Sequence, residues 1–181
     1  MFKKILLYIP NLWLSCYNVI VRRIGSDVMN KEISILDVAK ELICKFNRED
    51  KDITQLKLQK LLYFIEAYYM AMYDKDSLYK EKFYAWTYGP VSKEIYSKYK
   101  NYMDLPIRES GCANNLEIFG EEIISSFNRI YNVFGKLTSS QLIKLTHMQG
   151  SPWFETPTNF DAEIPKEKTK KWFKEVFIKN V

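Results

Sequence analysis

The chain has 181 residues, of which 47% are hydrophobic and 15% aromatic, so it can bury a core and is not a disordered protein. Its 27 basic and 22 acidic residues give a net charge of +5, but residues 1–28 hold four of the basic residues and one acidic residue. The remaining chain carries 23 basic and 21 acidic residues, a net charge of +2, which predicts no strong field for nucleic-acid phosphates.

Residues 1–28 differ in composition from the rest of the chain. An apolar run of 17 residues, which begins at Ile5 and ends at Val21, lies between two pairs of basic residues. That length is at the lower limit for a membrane span, and Pro10 and two asparagines interrupt it. We favour an upstream start codon, with the native protein beginning at Met29; the alternative is a membrane-proximal segment that tethers the protein. Residues 29–181 are expected to form a single helical domain.

The cysteines predict no covalent framework. Cys16, Cys44 and Cys112 are odd in number, far apart in the sequence and without C-x-x-C spacing. This pattern suggests neither disulfide bonds nor a zinc site, so we expect a reducing, cytoplasmic setting.

The first predicted helix of the domain begins at Ser34. Ser34 and Asp37 have the spacing of a capping box, in which two side chains satisfy free N–H groups at a helix start. Apolar residues follow at helical spacing as far as Phe46, which predicts an amphipathic helix.

The second predicted helix begins at Thr54 and ends at Tyr73. From Leu61 onward it is apolar on nearly every side, which is typical of a central helix covered by its neighbours. Glu66 interrupts the apolar run. We expect this glutamate to be partly exposed, because a buried carboxylate would need a partner or would become protonated.

An aromatic stretch follows, with four rings between Phe83 and Tyr88. Its composition favours a short extended segment. We expect Phe83 and Trp86 to face the core, and Tyr84 and Tyr88 to face solvent. The Gly89-Pro90 pair is expected to start the next helix, because proline suits the first helical turn.

The rest of the chain predicts an irregular loop and three more helices. The loop covers residues 103–118 and is the best candidate for a mobile segment. The helices are expected from Glu121 to Gly135, from Thr138 to His147 and from Pro165 to Lys179. The fold class is therefore mainly α with a small β element, a compact bundle around a buried central helix.

Signs of catalysis are sparse. The chain has one histidine, His147, and no glycine-rich phosphate loop, no paired metal ligands and no nucleophile motif. A single histidine after a helix is more often structural than a general base. We expect a protein that is not an enzyme and that needs no cofactor.

Three sequence blocks together resemble the Panacea domain of SocA-like antitoxins, also known as phage-associated proteins. They are LKLQKLLYFIEAYYMA from Leu56, FYAWTYGPVSKEIY from Phe83 and LTHMQGSPW from Leu145. The resemblance covers the chain from about Ser34 to Trp153. It departs from the family at residues 74–77, where the family often has a glycine-containing turn.

This resemblance implies an antitoxin that neutralises a toxin encoded beside it by direct protein–protein binding. One alternative is a proteolytic adaptor that delivers the toxin to a Clp protease. Another is a DNA-binding regulator of its own operon, although no recognition-helix pattern supports that role. A membrane-tethered variant depends on residues 1–28.

The candidate binding residues are the family landmarks and the tyrosines expected at the surface. We expect Pro152 and Trp153 to form a packed lid over a helix end, and the loop 103–118 and the helix after Pro90 to extend the interface. The full candidate set is Tyr63, Tyr84, Trp86, Tyr88, Gly89, Pro90, Val91, His147, Pro152 and Trp153.

Overall fold

The computed structural model describes residues 33–112, 119–158 and 161–178. The predictions about residues 1–28, about the start at Met29 and about the end of the irregular loop lie outside these residues. The elements in chain order are α1 (Ile35–Arg48), α2 (Gln55–Tyr73), β1 (Tyr84–Trp86), β2 (Gly89–Val91), α3 (Lys93–Tyr99), α4 (Glu121–Phe134), α5 (Ser139–Thr146) and α6 (Lys166–Phe173). A short 3₁₀ turn, Lys100–Tyr102, follows α3, and a π-helical turn, Lys174–Ile178, continues α6.

Helix α2 is the centre of the structure. Every residue from Leu58 to Ala67 is buried, and α2 contacts each of the other five described helices as well as β2. A helix that is apolar on all sides is stable in water only when neighbours cover it, and this arrangement confirms the mainly α prediction with its small β element. Nowhere in the described residues does a helix combine the length and apolarity needed to cross a bilayer.

Side-chain caps fix where the helices begin. The Ser34 hydroxyl accepts a hydrogen bond from the Leu36 amide at the start of α1, and the Thr54 hydroxyl accepts one from the Lys57 amide at the start of α2. At the start of α5, Thr138 and Gln141 form a reciprocal capping box. These caps satisfy amides that have no partner within the helix, so the predicted starts of α1, α2 and α5 are confirmed. The Ser34 hydroxyl bonds the Leu36 amide and not that of Asp37, so the capping box predicted for α1 is not formed.

The prediction that Gly89-Pro90 starts a helix is wrong. Gly89–Val91 is strand β2, which pairs antiparallel with β1 in the register Tyr84 to Val91 and Trp86 to Gly89. Helix α3 starts only at Lys93. Proline is tolerated in this strand because it lies at the edge of the sheet, where a missing N–H costs no ladder bond.

The expected facing of the aromatic stretch is partly wrong. Phe83 and Ala85 are buried, whereas Tyr84 and Trp86 are half-buried and Tyr88 is 65% exposed. Side chains alternate between the two faces of a strand, so Phe83 and Trp86, three positions apart, lie on opposite faces. Trp86 therefore leaves the core, and Tyr88 is exposed as expected.

The expectation for Glu66 is also wrong. Glu66 is only 2% exposed and forms an ion pair with Lys166 at 2.8 Å between Oε1 and Nζ. The hydroxyl of Ser77 and the amide of Tyr79 also donate to its carboxylate. Burial raises the pKa of Glu66, while Lys166 opposes that shift. The pair links α2 to the start of α6.

The structure contains a disulfide that the cysteine spacing did not suggest. Cys44 in α1 and Cys112 in the irregular segment are bonded, with their Cα atoms 5.5 Å apart, well within the range for a disulfide. The two residues are 68 positions apart, so only the tertiary fold brings them together.

We predict that the ion pair of Glu66 contributes more to stability than an exposed pair on the same helix. Replacing Lys166 with Ala leaves a buried carboxylate without its cation and should lower the free energy of unfolding by about 2–3 kcal/mol in urea denaturation. Lys168→Ala is the matched control, because Lys168 pairs with Glu155 where both side chains are about half exposed. This control should lose less than ~1 kcal/mol. Equal losses in the two variants would contradict the account.

Candidate functional site

Two polar side chains of α2 hold the segment that follows the aromatic stretch. The Gln59 amide donates from Nε2 to the Ser92 carbonyl at 3.1 Å and accepts at Oε1 from the Ser92 N–H at 2.9 Å. Both groups are buried, so the two bonds replace water contacts that the backbone has lost. They fix the end of β2 and the start of α3 against the central helix.

Lys60 makes the neighbouring contact. Its side chain is fully buried, and Nζ donates to the Pro90 carbonyl oxygen at 2.9 Å. Burial lowers the pKa of Lys60 to about 7, because a charged ammonium is poorly solvated in the interior. Among the described residues, no carboxylate lies within ion-pair distance of Lys60.

Gly89 allows β2 to approach this lysine. A Cβ atom at position 89 would lie 2.7 Å from Lys60 Cε and 2.9 Å from Thr146 Oγ1, closer than real side chains pack. Gly89 also has a φ of +102°, which L side chains rarely adopt. The glycine of the Gly89-Pro90 pair is thus required both by the space available and by the backbone conformation.

We call Gln59, Lys60 and the segment 89–92 that they hold "the frame". The residues around His147 lie against it. The rings of His147 and Trp153 stack face to face with their centroids 3.4 Å apart, and Trp153 Nε1 donates to the Trp86 carbonyl at 2.8 Å. Partial burial and the nearby charge of Lys60 lower the pKa of His147. Trp153 thereby joins the end of α5 to β1, as expected of a lid over a helix end.

The outer side of the hairpin forms an open cleft with a volume of about 530 Å³. The Trp86 ring is one wall, with Tyr96 in edge contact at 4.8 Å between ring centroids. The exposed Tyr88 stands at the rim. The lining residues are Gln55, Leu56, Trp86, Thr87, Tyr88, Val91, Tyr96, Thr158 and Asp161. We call this feature the aromatic cleft.

Asp161 supplies a negative charge at the aromatic cleft. It accepts a hydrogen bond from Trp86 Nε1 at 2.8 Å and pairs with Lys93 at 2.9 Å. Its hydrogen bonds with Lys93 and Trp86 lower the pKa of Asp161, so it is ionised at neutral pH. Lys93 Nζ in turn lies 4.2 Å from the centroid of the Tyr84 ring. The hydrogen bond from Trp86 to Asp161 orients the indole, and Lys93 holds Asp161 in place through the ion pair and lies over the Tyr84 ring.

A second surface feature lies on the far helices. A groove of about 560 Å³ runs between α2, α4 and α6 and is mostly apolar, with Arg129 the charged residue in its lining. Met72 and Val133 in its lining are 52% and 44% exposed. We call this feature the apolar groove.

The structure brings most of the candidate residues together around the hairpin. Trp86, Tyr88 and Val91 line the aromatic cleft, and Tyr84 lies on the same face as Trp86. Beneath them, Gly89, Pro90 and Pro152 are buried and hold the frame. Tyr63 is separate: it is buried in α2, within hydrogen-bond distance of Thr169 at 3.2 Å, and faces no solvent.

Sequence reasoning missed four residues that shape this site: Gln59, Lys60, Thr146 and Asp161. Gln59 and Lys60 lie near the start of a helix that is apolar on all sides. Such a helix is covered by its neighbours on every side, so the sequence could have indicated that these two polar side chains are buried. No local pattern marks Asp161, which comes from a distant loop and meets Trp86 only in the fold.

The site is built to present aromatic surface in a fixed geometry. Within residues 33–112, 119–158 and 161–178, no three His, Cys, Asp or Glu side chains come together to hold a metal ion. Gln59, Lys60, Trp153 and Asp161 are hydrogen-bonded within the site, whereas His147 Nε2 is buried without a hydrogen-bond partner among the described residues. Tyr88, Tyr96 and Asp161 are exposed to solvent, and Trp86 is half-buried beside them.

Comparison with known proteins gives one family. The model of the family described as "Antitoxin SocA-like, Panacea domain" matches residues 58–154. The chain is also 29% identical over 126 residues to Antitoxin SocA of Caulobacter vibrioides (strain NA1000 / CB15N). That alignment covers 64% of this chain and 66% of the relative, slightly less than two thirds of its length. No solved structure gives a significant match.

We predict that a side chain at position 89 disrupts the frame. Gly89→Ala should lower the free energy of unfolding by about 3 kcal/mol, because it adds strain at positive φ and forces β2 away from Lys60. Gly150→Ala is the matched control, since Gly150 also has a positive φ but no atom within 4 Å of the added Cβ. This control should lose about 1 kcal/mol. Urea denaturation of both variants measures the difference, and an equal loss of unfolding free energy in the two variants would contradict this prediction.

Burial of Lys60 also predicts a pH dependence of stability. The pKa of Lys60 falls from its ordinary value of 10.5 to about 7 on folding, so between these values the unfolded chain binds more protons. Stability therefore rises with pH, by up to about 1.4 kcal/mol per pH unit. Lys60→Met removes this contribution, so the difference in unfolding free energy between wild type and variant should shift in favour of wild type from pH 7.5 to pH 9. Parallel pH profiles would show that Lys60 keeps its ordinary pKa.

Proposed function

Because this chain belongs to the family of SocA-like antitoxins with a Panacea domain, we propose that it is an antitoxin that binds and neutralises a toxin protein encoded beside it. The matched residues include most of α2, the whole hairpin and helices α3 to α5. They therefore include the frame built by Gln59 and Lys60 and the aromatic rings of the cleft.

The observation that supports direct binding is the aromatic cleft. Trp86, Tyr88 and Tyr96 present large ring surfaces with few rotatable bonds, and tyrosine and tryptophan are enriched at the energetic centres of protein interfaces. The contacts of Trp86 with Asp161 and Tyr96 hold its ring before a partner arrives, which lowers the ordering cost of binding.

The aromatic cleft is the centre of the proposed interface and not all of it. A stable interface takes about 20–30 residues on each partner, whereas nine described residues line the cleft. Met103 and Leu105 follow α3 and are 77% and 64% exposed, so they are available to extend the contact.

Neutralisation by binding needs neither a catalytic group nor a cofactor, and we propose that the protein has none. The proposed site of action is the cytoplasm, where a toxin encoded beside the antitoxin is synthesised. The toxin's identity is to be found by co-purification with the product of the neighbouring gene.

We predict that Tyr88→Ala weakens toxin binding at least tenfold, which corresponds to about 1.4 kcal/mol or more. Tyr88 is 65% exposed, so the variant should keep the stability of the wild type. Val133→Ala is the matched control, because it truncates an exposed apolar residue in the apolar groove and should leave binding unchanged. Affinity is measured by calorimetry with the purified toxin, and protection by growth of cells that co-express it.

The binding of the two variants distinguishes an interface at the aromatic cleft from one at the apolar groove. Loss of binding in Val133→Ala alone would move the interface to the apolar groove. No binding of the neighbouring gene product by the wild-type chain would contradict the proposed function itself.

A further inference from the structure

The strongest unassigned feature is the link between Cys44 and Cys112. Cys44 lies in α1 and is completely buried, whereas Cys112 is exposed at the end of the described part of the irregular loop. Their sulfur atoms are bonded in the structure. The inference drawn from this pair rests on the cytoplasmic location proposed above and is independent of toxin binding.

Hydrogen bonds and an ion pair attach the loop to the body before it reaches Cys112. The Ile107 amide donates to the Ile53 carbonyl at 2.9 Å, and the Ile107 side chain is buried. Arg108 then donates to Asn47 and Asp52 at the surface, where Asp52 is 65% exposed and such contacts are weak. The Tyr99 hydroxyl of α3 then donates to the Glu109 carboxylate at 2.8 Å. Past Ile107, the disulfide is the covalent attachment of this segment among the described residues.

The unequal exposure of the two sulfurs matters for their chemistry. Disulfides are rare in the cytoplasm, and those that form there usually sense or transmit the redox state. A redox-sensing pair requires one thiol that a small molecule reaches and a second that resolves the mixed disulfide. Cys112 fits the first role by its exposure, and Cys44 fits the second by its position beside it.

We propose that Cys44 and Cys112 form a reversible thiol–disulfide pair that fastens segment 108–112 to α1 when oxidised and releases it when reduced. The oxidant is a low-molecular-weight disulfide such as oxidised glutathione. The Cys112 thiolate attacks one of its sulfurs, the S–S bond of the oxidant breaks, and one glutathione thiolate leaves. The Cys44 thiolate then attacks the Cys112 sulfur and displaces the second glutathione. Two glutathione thiols carry away the electron pair and the two protons.

The test uses the full chain with Cys16→Ser, so that only one pair can form within a molecule. The native protein is treated with oxidised glutathione or with dithiothreitol, its free thiols are blocked with N-ethylmaleimide, and peptides are mapped by mass spectrometry. We expect a Cys44–Cys112 link after oxidation and two blocked thiols after reduction. In the same samples, trypsin should cleave after Arg108 at least fivefold more slowly in the oxidised form.

Two controls isolate the effect of the link. Cleavage after Lys75, an exposed site in another loop, should have the same rate in both forms. Cys112→Ser, a change at an exposed position that should not impair folding, should be cleaved after Arg108 at the rate of the reduced form whatever the oxidant.

Three results would overturn the proposal. The first is a Cys112–glutathione adduct that Cys44 never resolves in the native protein. The second is a link that dithiothreitol cannot open without denaturant. The third is a link that opens and closes without changing the cleavage rate after Arg108.

Discussion

An ammonium group buried in the centre of a helical bundle must find an acceptor inside the protein, and for Lys60 that acceptor is the carbonyl oxygen of Pro90. With the paired hydrogen bonds of Gln59 to Ser92, this contact ties the most buried helix to the hairpin. Each bond contributes little net free energy, but leaving either partner unsatisfied in the interior costs more. The path of residues 89–92 is therefore determined by α2.

The aromatic cleft depends on that path. Because Gly89 lets β2 lie against Lys60, its register partner Trp86 is held in β1 with its ring outside the core, where Asp161 and Tyr96 contact it. Trp153 donates a hydrogen bond to the backbone carbonyl of the same tryptophan. Polar contacts in the interior thus hold an aromatic surface in a fixed geometry, which suits the protein binding proposed above.

The sequence predicted the elements that depend on periodicity and on local capping. Its predictions were wrong where contacts with residues distant in the sequence determine the structure. The central helix and its Thr54 cap followed from apolar patterning and capping rules. Pro90 was misassigned because proline suits both a first helical turn and an edge strand, and only contacts from Gln59 and Lys60 select the strand.

Long-range partners explain the other failures. Glu66 is buried because Lys166, one hundred positions away, neutralises it, and nothing near Glu66 in the sequence indicates this cation. The Cys44–Cys112 bond likewise joins residues 68 positions apart. The sequence shows which charged residues and cysteines are present, but the tertiary structure determines which of them pair.

Amide hydrogen exchange on the free chain and on its complex with the toxin tests the central claim most directly. The account predicts that the Ser92 amide, bonded to a buried glutamine, exchanges in the free chain as slowly as the amides of α2. It also predicts that toxin binding adds protection at residues 86–96 and not at residues 129–134. A Ser92 amide that exchanges at the rate of an open loop, or new protection confined to the apolar groove, would contradict it.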